Sequence, residues 1–188
     1  MSNVYKPPEV NALVLPDSVI EQNFKAVQLA AEDYSPSAHL RPHQVRGMQG
    51  LREIILDDLT IDSFAEGTGI SYVAPTGSGK TVVIAETLSM LDHGFREVYP
   101  EEELALRGLV GVPRIEIGKQ TAGKKRNQGL RSFAPGLTFS GAGTTVRQAA
   151  NAMIACYASF GKMELDGEMN KLNPNVVVAD EMHMAISG

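Results

Sequence analysis

Residues 74–81 read Ala-Pro-Thr-Gly-Ser-Gly-Lys-Thr, between a β-branched and aromatic run (Ile70, Tyr72, Val73) and an apolar stretch at helical spacing. A strand that ends in a glycine-rich turn and enters a helix is the arrangement a phosphate-binding loop needs, and it points to an α/β architecture. Within Pro75, Thr76, Gly77, Ser78, Gly79, Lys80 and Thr81, the two glycines permit conformations that a β-carbon disfavours, so successive amide N–H groups can turn toward a β-phosphate. Lys80 adds a cation and Thr81 a hydroxyl for magnesium. The helix start near Lys80 offers unpaired N–H groups and the positive end of a helix dipole. The expected ligand is a nucleoside triphosphate with magnesium.

Near the other end, residues 173–183 read Asn-Pro-Asn-Val-Val-Val-Ala-Asp-Glu-Met-His, a turn, a buried apolar strand over 176–179 and two acids at its carboxyl end. Open α/β sheets place ligands at that end of their strands. Asp180 would hold the magnesium ion directly or through water, and Glu181 would orient and deprotonate the attacking water. His183 can sit near the γ-phosphate and sense it. The alternatives are a solvated helix start for Asp180 and Glu181 and a structural role for His183.

Together, the 74–81 loop and the Asp180-Glu181-Met182-His183 box resemble motifs I and II of superfamily 2 helicases and translocases, in the DExH form. Leu40-Arg-Pro-His-Gln44 is similar to the element upstream of motif I in which the glutamine reads adenine, a pairing a carboxamide makes bidentately. The stretch from Val112 to Gln120 resembles motif Ia, which touches the nucleic-acid backbone, and carries over Pro113, Arg114, Lys119 and Gln120. Ala74, where the general loop pattern has glycine, is a small residue common in helicase-type loops. Gln44 stands farther from Lys80 than in many members, with an acidic, glycine-containing insert over 57–69. The stretch 141–147 occupies the place of motif Ib, with Thr144 or Thr145 as a hydroxyl donor or, equally, as a helix cap.

The resemblance implies a RecA-like domain over 40–188 behind an N-terminal helical extension over 1–39, with ATP and Mg2+ as cofactors. It implies a nucleic-acid partner, leaning slightly to DNA. The family's Ser-Ala-Thr motif and second RecA-like domain do not follow Asp180 before Gly188, so the expectation is half of a motor, completed in cis or in trans. A module that binds ATP and nucleic acid without turnover is the first alternative. A kinase or other phosphate-loop NTPase is the second.

Composition narrows the setting. A net charge of −5 over 188 residues argues against gripping nucleic acid with the whole surface. Any track is local, and the candidate runs from Arg114 through Lys119, Lys124, Lys125 and Arg126 to Arg131, with Glu116 its one acid. Its alternative is a solvated helix face. Cys156, the single cysteine, sits in an apolar stretch and reads as a core thiol. The first residues lack the apolar core of a signal peptide and no segment is long and apolar enough to span a membrane, so a cytoplasmic or nuclear location is expected.

Periodicity places helices over 17–33, 43–57, 80–92, 115–126 and 145–160, and strands over 70–74, 108–112, 137–139 and 176–179. The alternation predicts a parallel sheet flanked by helices in a nucleotide-binding topology.

Overall fold

The computed structural model describes residues 15–67, 69–75, 77–114, 117–118, 121, 129–140 and 150–180. Two of its segments, Gly-Leu-Val-Gly-Val and Ala-Met-Ile-Ala-Cys, contain no polar side chain, and such strands are stable only where both faces are covered. They form β1 (Gly108–Val112) and, later in the chain, β3 (Ala152–Cys156), buried at every position in the middle of the sheet. β2 (Phe139–Ser140) flanks β3, and β4 (Val176–Ala179) flanks β1, giving the order β2-β3-β1-β4 with every pairing parallel. Gly111 stands opposite Ala155 on one side and Ala179 on the other.

The alternation of β1 separates two cores. Val110 and Val112 join the larger cluster with α1 (Asp17–Glu32), α2 (Pro42–Glu53) and α4 (Lys80–Val98), whereas Leu109 packs with Met153, Met163 and Leu172. The second face is covered by α6 (Tyr157–Leu165) and α7 (Glu168–Leu172). On that face the rings of Tyr157 and Phe160 lie against Gly111, where a β-carbon would come within 2.5 Å of Tyr157. Between α2 and α4 the chain makes a π-helical turn (Ile54–Asp58) and the short α3 (Ile61–Ala65), capped by Thr60; Phe64 of α3 packs edge-on against Phe24 of α1. A single turn, α5 (Leu130–Phe133), precedes β2.

Two asparagines tie elements of the fold together, as desolvation of their amides requires. Asn151, just before β3, donates to Asp92 of α4 and accepts from the backbone and hydroxyl of Thr138. Asn175 bonds the backbone of Arg107 and Ala105, joining the amino ends of β1 and β4.

Four expectations need correction. Of the helix placed over 145–160, the described residues 150–160 hold β3 at 152–156 and helix only from Tyr157; a short, fully apolar run carries no period to tell a buried strand from a buried helix. Cys156 is still a core thiol, at the end of β3. The helix from Lys80 does not stop near Gly94 but continues to Val98, because this glycine is a contact point: a β-carbon there would lie 2.1 Å from the Ala26 carbonyl of α1. Residues 70–74 form no strand and pair with none among the described residues, and Tyr72 lies over Gly47 of α2 while Val73 is 90% exposed. β4 is correspondingly an edge strand among the described residues, with Val177 61% exposed rather than buried. Most of the helix placed over 115–126 lies outside the described residues.

Candidate functional site

Gly77 and Gly79 have φ of 78° and 86°, the left-handed region in which a β-carbon crowds the backbone. The Ser78 amide donates to the Pro75 carbonyl at 3.2 Å, closing a tight turn that delivers Gly79 to the start of α4. No side chain caps that 19-residue helix, and its first turn contains no acidic residue. Among the described residues no acceptor takes the amides of Gly79, Lys80 or Thr81, and Lys80 enters no ion pair. The Ser78 hydroxyl is buried without a hydrogen-bond partner among the described residues. Unpaired donors, a lysine and the positive end of a helix dipole converge here, so the loop fits a phosphate group.

The N-terminus of α2 packs behind this loop. Gln44 is 2% exposed; its Oε1 accepts from the Arg41 amide at 2.9 Å, and its Nε2 donates to the carbonyls of Ser78 at 3.1 Å and Gly79 at 3.4 Å. His43 Nε2 lies 2.8 Å from the same Ser78 carbonyl. The Gln44 carboxamide is thus engaged at both ends by backbone, and bidentate pairing with a base requires it to leave those bonds. His43 was not among the expected site residues, although it adjoins Gln44 in the Leu40–Gln44 element.

Asp180 follows β4 at its carboxyl end, as expected. Its amide donates to the Gly111 carbonyl at 2.9 Å, and its own carbonyl accepts from the Tyr157 hydroxyl at 2.5 Å. Tyr157, like His43, was not among the expected site residues, and it fixes the Asp180 backbone from α6. Pro113 and Arg114 leave β1 at the same edge of the sheet, where the Cys156 thiol lies 3.5 Å from the Pro113 carbonyl. Leu88 reaches Gly108 at the amino end of β1, and Asp92 meets Asn151 just before β3. Gln44, Pro75, Gly77, Ser78, Gly79, Lys80 and Thr81 form one contiguous group, and Asp180, Pro113 and Arg114 form a second at the carboxyl ends of β4 and β1. Thr76, Lys119, Gln120, Lys124, Lys125, Arg126, Glu181 and His183 lie outside the described residues.

Glu86, two turns into α4, fastens the α1–α2 connection. Only 4% exposed, its carboxylate accepts from the Tyr34 hydroxyl at 3.1 Å and from the Ser37 amide and hydroxyl at 3.0 Å each. Burial, and then the neighbouring charge and hydrogen bond of Glu86, raise the Tyr34 hydroxyl far above the ordinary tyrosine range. A pocket of about 180 Å³ opens beside this contact, lined among others by Asp33, Tyr34, Glu86 and His93. Its buried carboxylate is already satisfied by the protein, unlike the donors of the glycine-rich loop.

Residues 37–188 match the family model described as type III restriction enzyme, res subunit. No match to the chain is found among curated proteins or solved structures.

Proposed function

The chain belongs to the type III restriction enzyme res subunit family, a helicase-like, ATP-dependent group within superfamily 2, and from that premise we propose that it binds ATP with Mg2+ in the 74–81 loop and couples hydrolysis to unwinding of, or movement along, nucleic acid. The observation that carries this reading is the uncapped, acid-free start of α4 behind two left-handed glycines. Bound ATP and Mg2+ supply the phosphoanhydride to be cleaved and the charge that neutralises it. The amides of Gly79, Lys80 and Thr81 and the Lys80 ammonium grip the phosphates, while the Thr81 hydroxyl and Asp180 hold the metal. In the DExH form we assign, Glu181 takes the proton of the attacking water and His183 senses the γ-phosphate. Pro113, Arg114, Lys119, Gln120, Lys124, Lys125 and Arg126 form the backbone track, and DNA is the favoured polymer. A second RecA-like domain, in cis or in trans, closes the cleft over the domain spanning 40–188.

Phosphate release measured with and without single-stranded DNA or RNA tests the proposal. The expected result is polymer-stimulated release that Glu181→Gln lowers by roughly 10² to 10⁴ while ATP binding persists. Reversing Lys124, Lys125 and Arg126 to Glu should lessen the salt slope of single-strand binding by about 0.7 per lost phosphate contact. Near-normal turnover in Glu181→Gln contradicts the assignment of the base, and ATP binding without any turnover reduces the protein to a binding module.

A further inference from the structure

We propose that His43 is a positioning residue for the triphosphate: with Gln44 it holds the Ser78 carbonyl toward α2 and thereby turns the next amide toward the anion. The inference rests on the reading of 74–81 as a phosphate loop and assigns a residue that reading does not use.

A carbonyl oxygen only accepts, so the 2.8 Å contact requires His43 to carry its hydrogen on Nε2. Gln44 Nε2 approaches the same oxygen at 3.1 Å, and the two donors together occupy its two lone pairs. The peptide is planar and trans, so a Ser78 carbonyl fixed on α2 directs the Gly79 N–H the opposite way. The Gly79 carbonyl is held in turn by the Val82 amide at 2.9 Å and by Gln44 at 3.4 Å, which sets the Lys80 N–H by the same logic. Two consecutive amides are thus aimed by groups that need never touch the ligand.

The loop needs such help. Its two left-handed glycines have wide conformational freedom in a free chain, and the turn bond from Ser78 to Pro75 restrains the loop only locally. Binding to a loop already held in shape avoids the ordering penalty that a loose loop incurs with each ligand. The clamp itself is rigid. Met48 of α2 is fully buried, Arg52 donates to the Ala31 carbonyl at 2.9 Å, and Glu86 ties Ser37, ahead of α2, to the helix that the loop starts.

The test uses sodium tripolyphosphate, which has no base, beside ATP, in calorimetric titrations of the wild type, Lys80→Ala, His43→Phe and His43→Gln, with thermal melts of each. Loss of one hydrogen bond on a shared acceptor predicts about three- to tenfold weaker binding of both ligands by His43→Phe. His43→Gln, which keeps a donor, should recover most of that loss at an unchanged melting temperature. A His43→Phe variant that binds tripolyphosphate like wild type overturns the inference, as does a defect limited to ATP, which would make His43 a base contact. Equal weakness in His43→Gln and His43→Phe likewise overturns it. If Lys80→Ala weakens binding and His43→Phe does not, this inference alone fails; if wild type binds tripolyphosphate no better than Lys80→Ala, the loop reading fails with it.

Discussion

Replacing Gly79 by alanine separates the two physical demands on the loop. Gly77 and Gly79 share a left-handed backbone, and an alanine at either position costs about 1–2 kcal/mol for that conformation. At Gly77 nothing lies within 4 Å of the added carbon, so the cost ends there. At Gly79 the carbon would meet Gln44 Nε2 at 2.5 Å, and the carboxamide would have to give up its bonds to Ser78 and Gly79 while remaining buried. Leaving those groups poorly paired adds about 1–3 kcal/mol, so Gly79→Ala should total about 2–5 kcal/mol against about 1–2 for Gly77→Ala. Urea unfolding of each variant, alone and combined with Gln44→Ala, measures the difference. Most of the excess at Gly79 should vanish in the Gln44→Ala background, a coupling of about 1–2 kcal/mol between touching residues. Equal losses at the two glycines, or a Gly79→Ala penalty unchanged without the Gln44 side chain, would refute the packing of α2 against the loop.

Glu86→Ala strands the Tyr34 hydroxyl and both Ser37 donors, and should lower stability by about 2–4 kcal/mol, seen as a fall in urea midpoint at constant slope. Burial and then Glu86 hold the Tyr34 hydroxyl above the ordinary tyrosine range, and burial and then Glu102 raise that of Tyr99. A folded-state pKa above the unfolded one stabilises the fold fully below pH ~10 and loses that contribution as pH rises above it. Melting temperature should therefore fall above pH ~10, and a Tyr34→Phe/Tyr99→Phe variant should fall less steeply; identical slopes would contradict the assignment.

What was legible in the sequence follows from where a residue's neighbours along the chain decide its state. The loop was readable because glycines at two fixed positions ahead of a lysine serve a local need, and the structure puts both in the left-handed region. β1 and β4 were bounded correctly, with Asp180 at the end of β4, because turn residues bracket short β-branched runs. Where tertiary context decides, the reading failed. Ala152–Cys156 is an inner strand because β1 and β2 lie on either side of it, a fact no pattern in Ala-Met-Ile-Ala-Cys records. The helix placed over 80–92 runs on through Gly94, which α1 crosses so closely that only glycine fits. In the site, His43 and Tyr157 act on backbone carbonyls distant in sequence, Ser78 and Asp180, and a bond to a carbonyl leaves no trace in the identity of the residue that accepts it.

The central claim is that residues 74–81 hold a triphosphate, and calorimetric titration of wild type and Lys80→Ala with ATP and Mg2+ tests it most directly. Lys80 begins α4 and enters no ion pair among the described residues, so its removal should leave the melting temperature nearly unchanged. Loss of a charge-assisted contact of about 1.5–3 kcal/mol predicts affinity about 10- to 150-fold weaker in the variant. Equal affinity in the two proteins, or no binding by the wild type, would contradict the account.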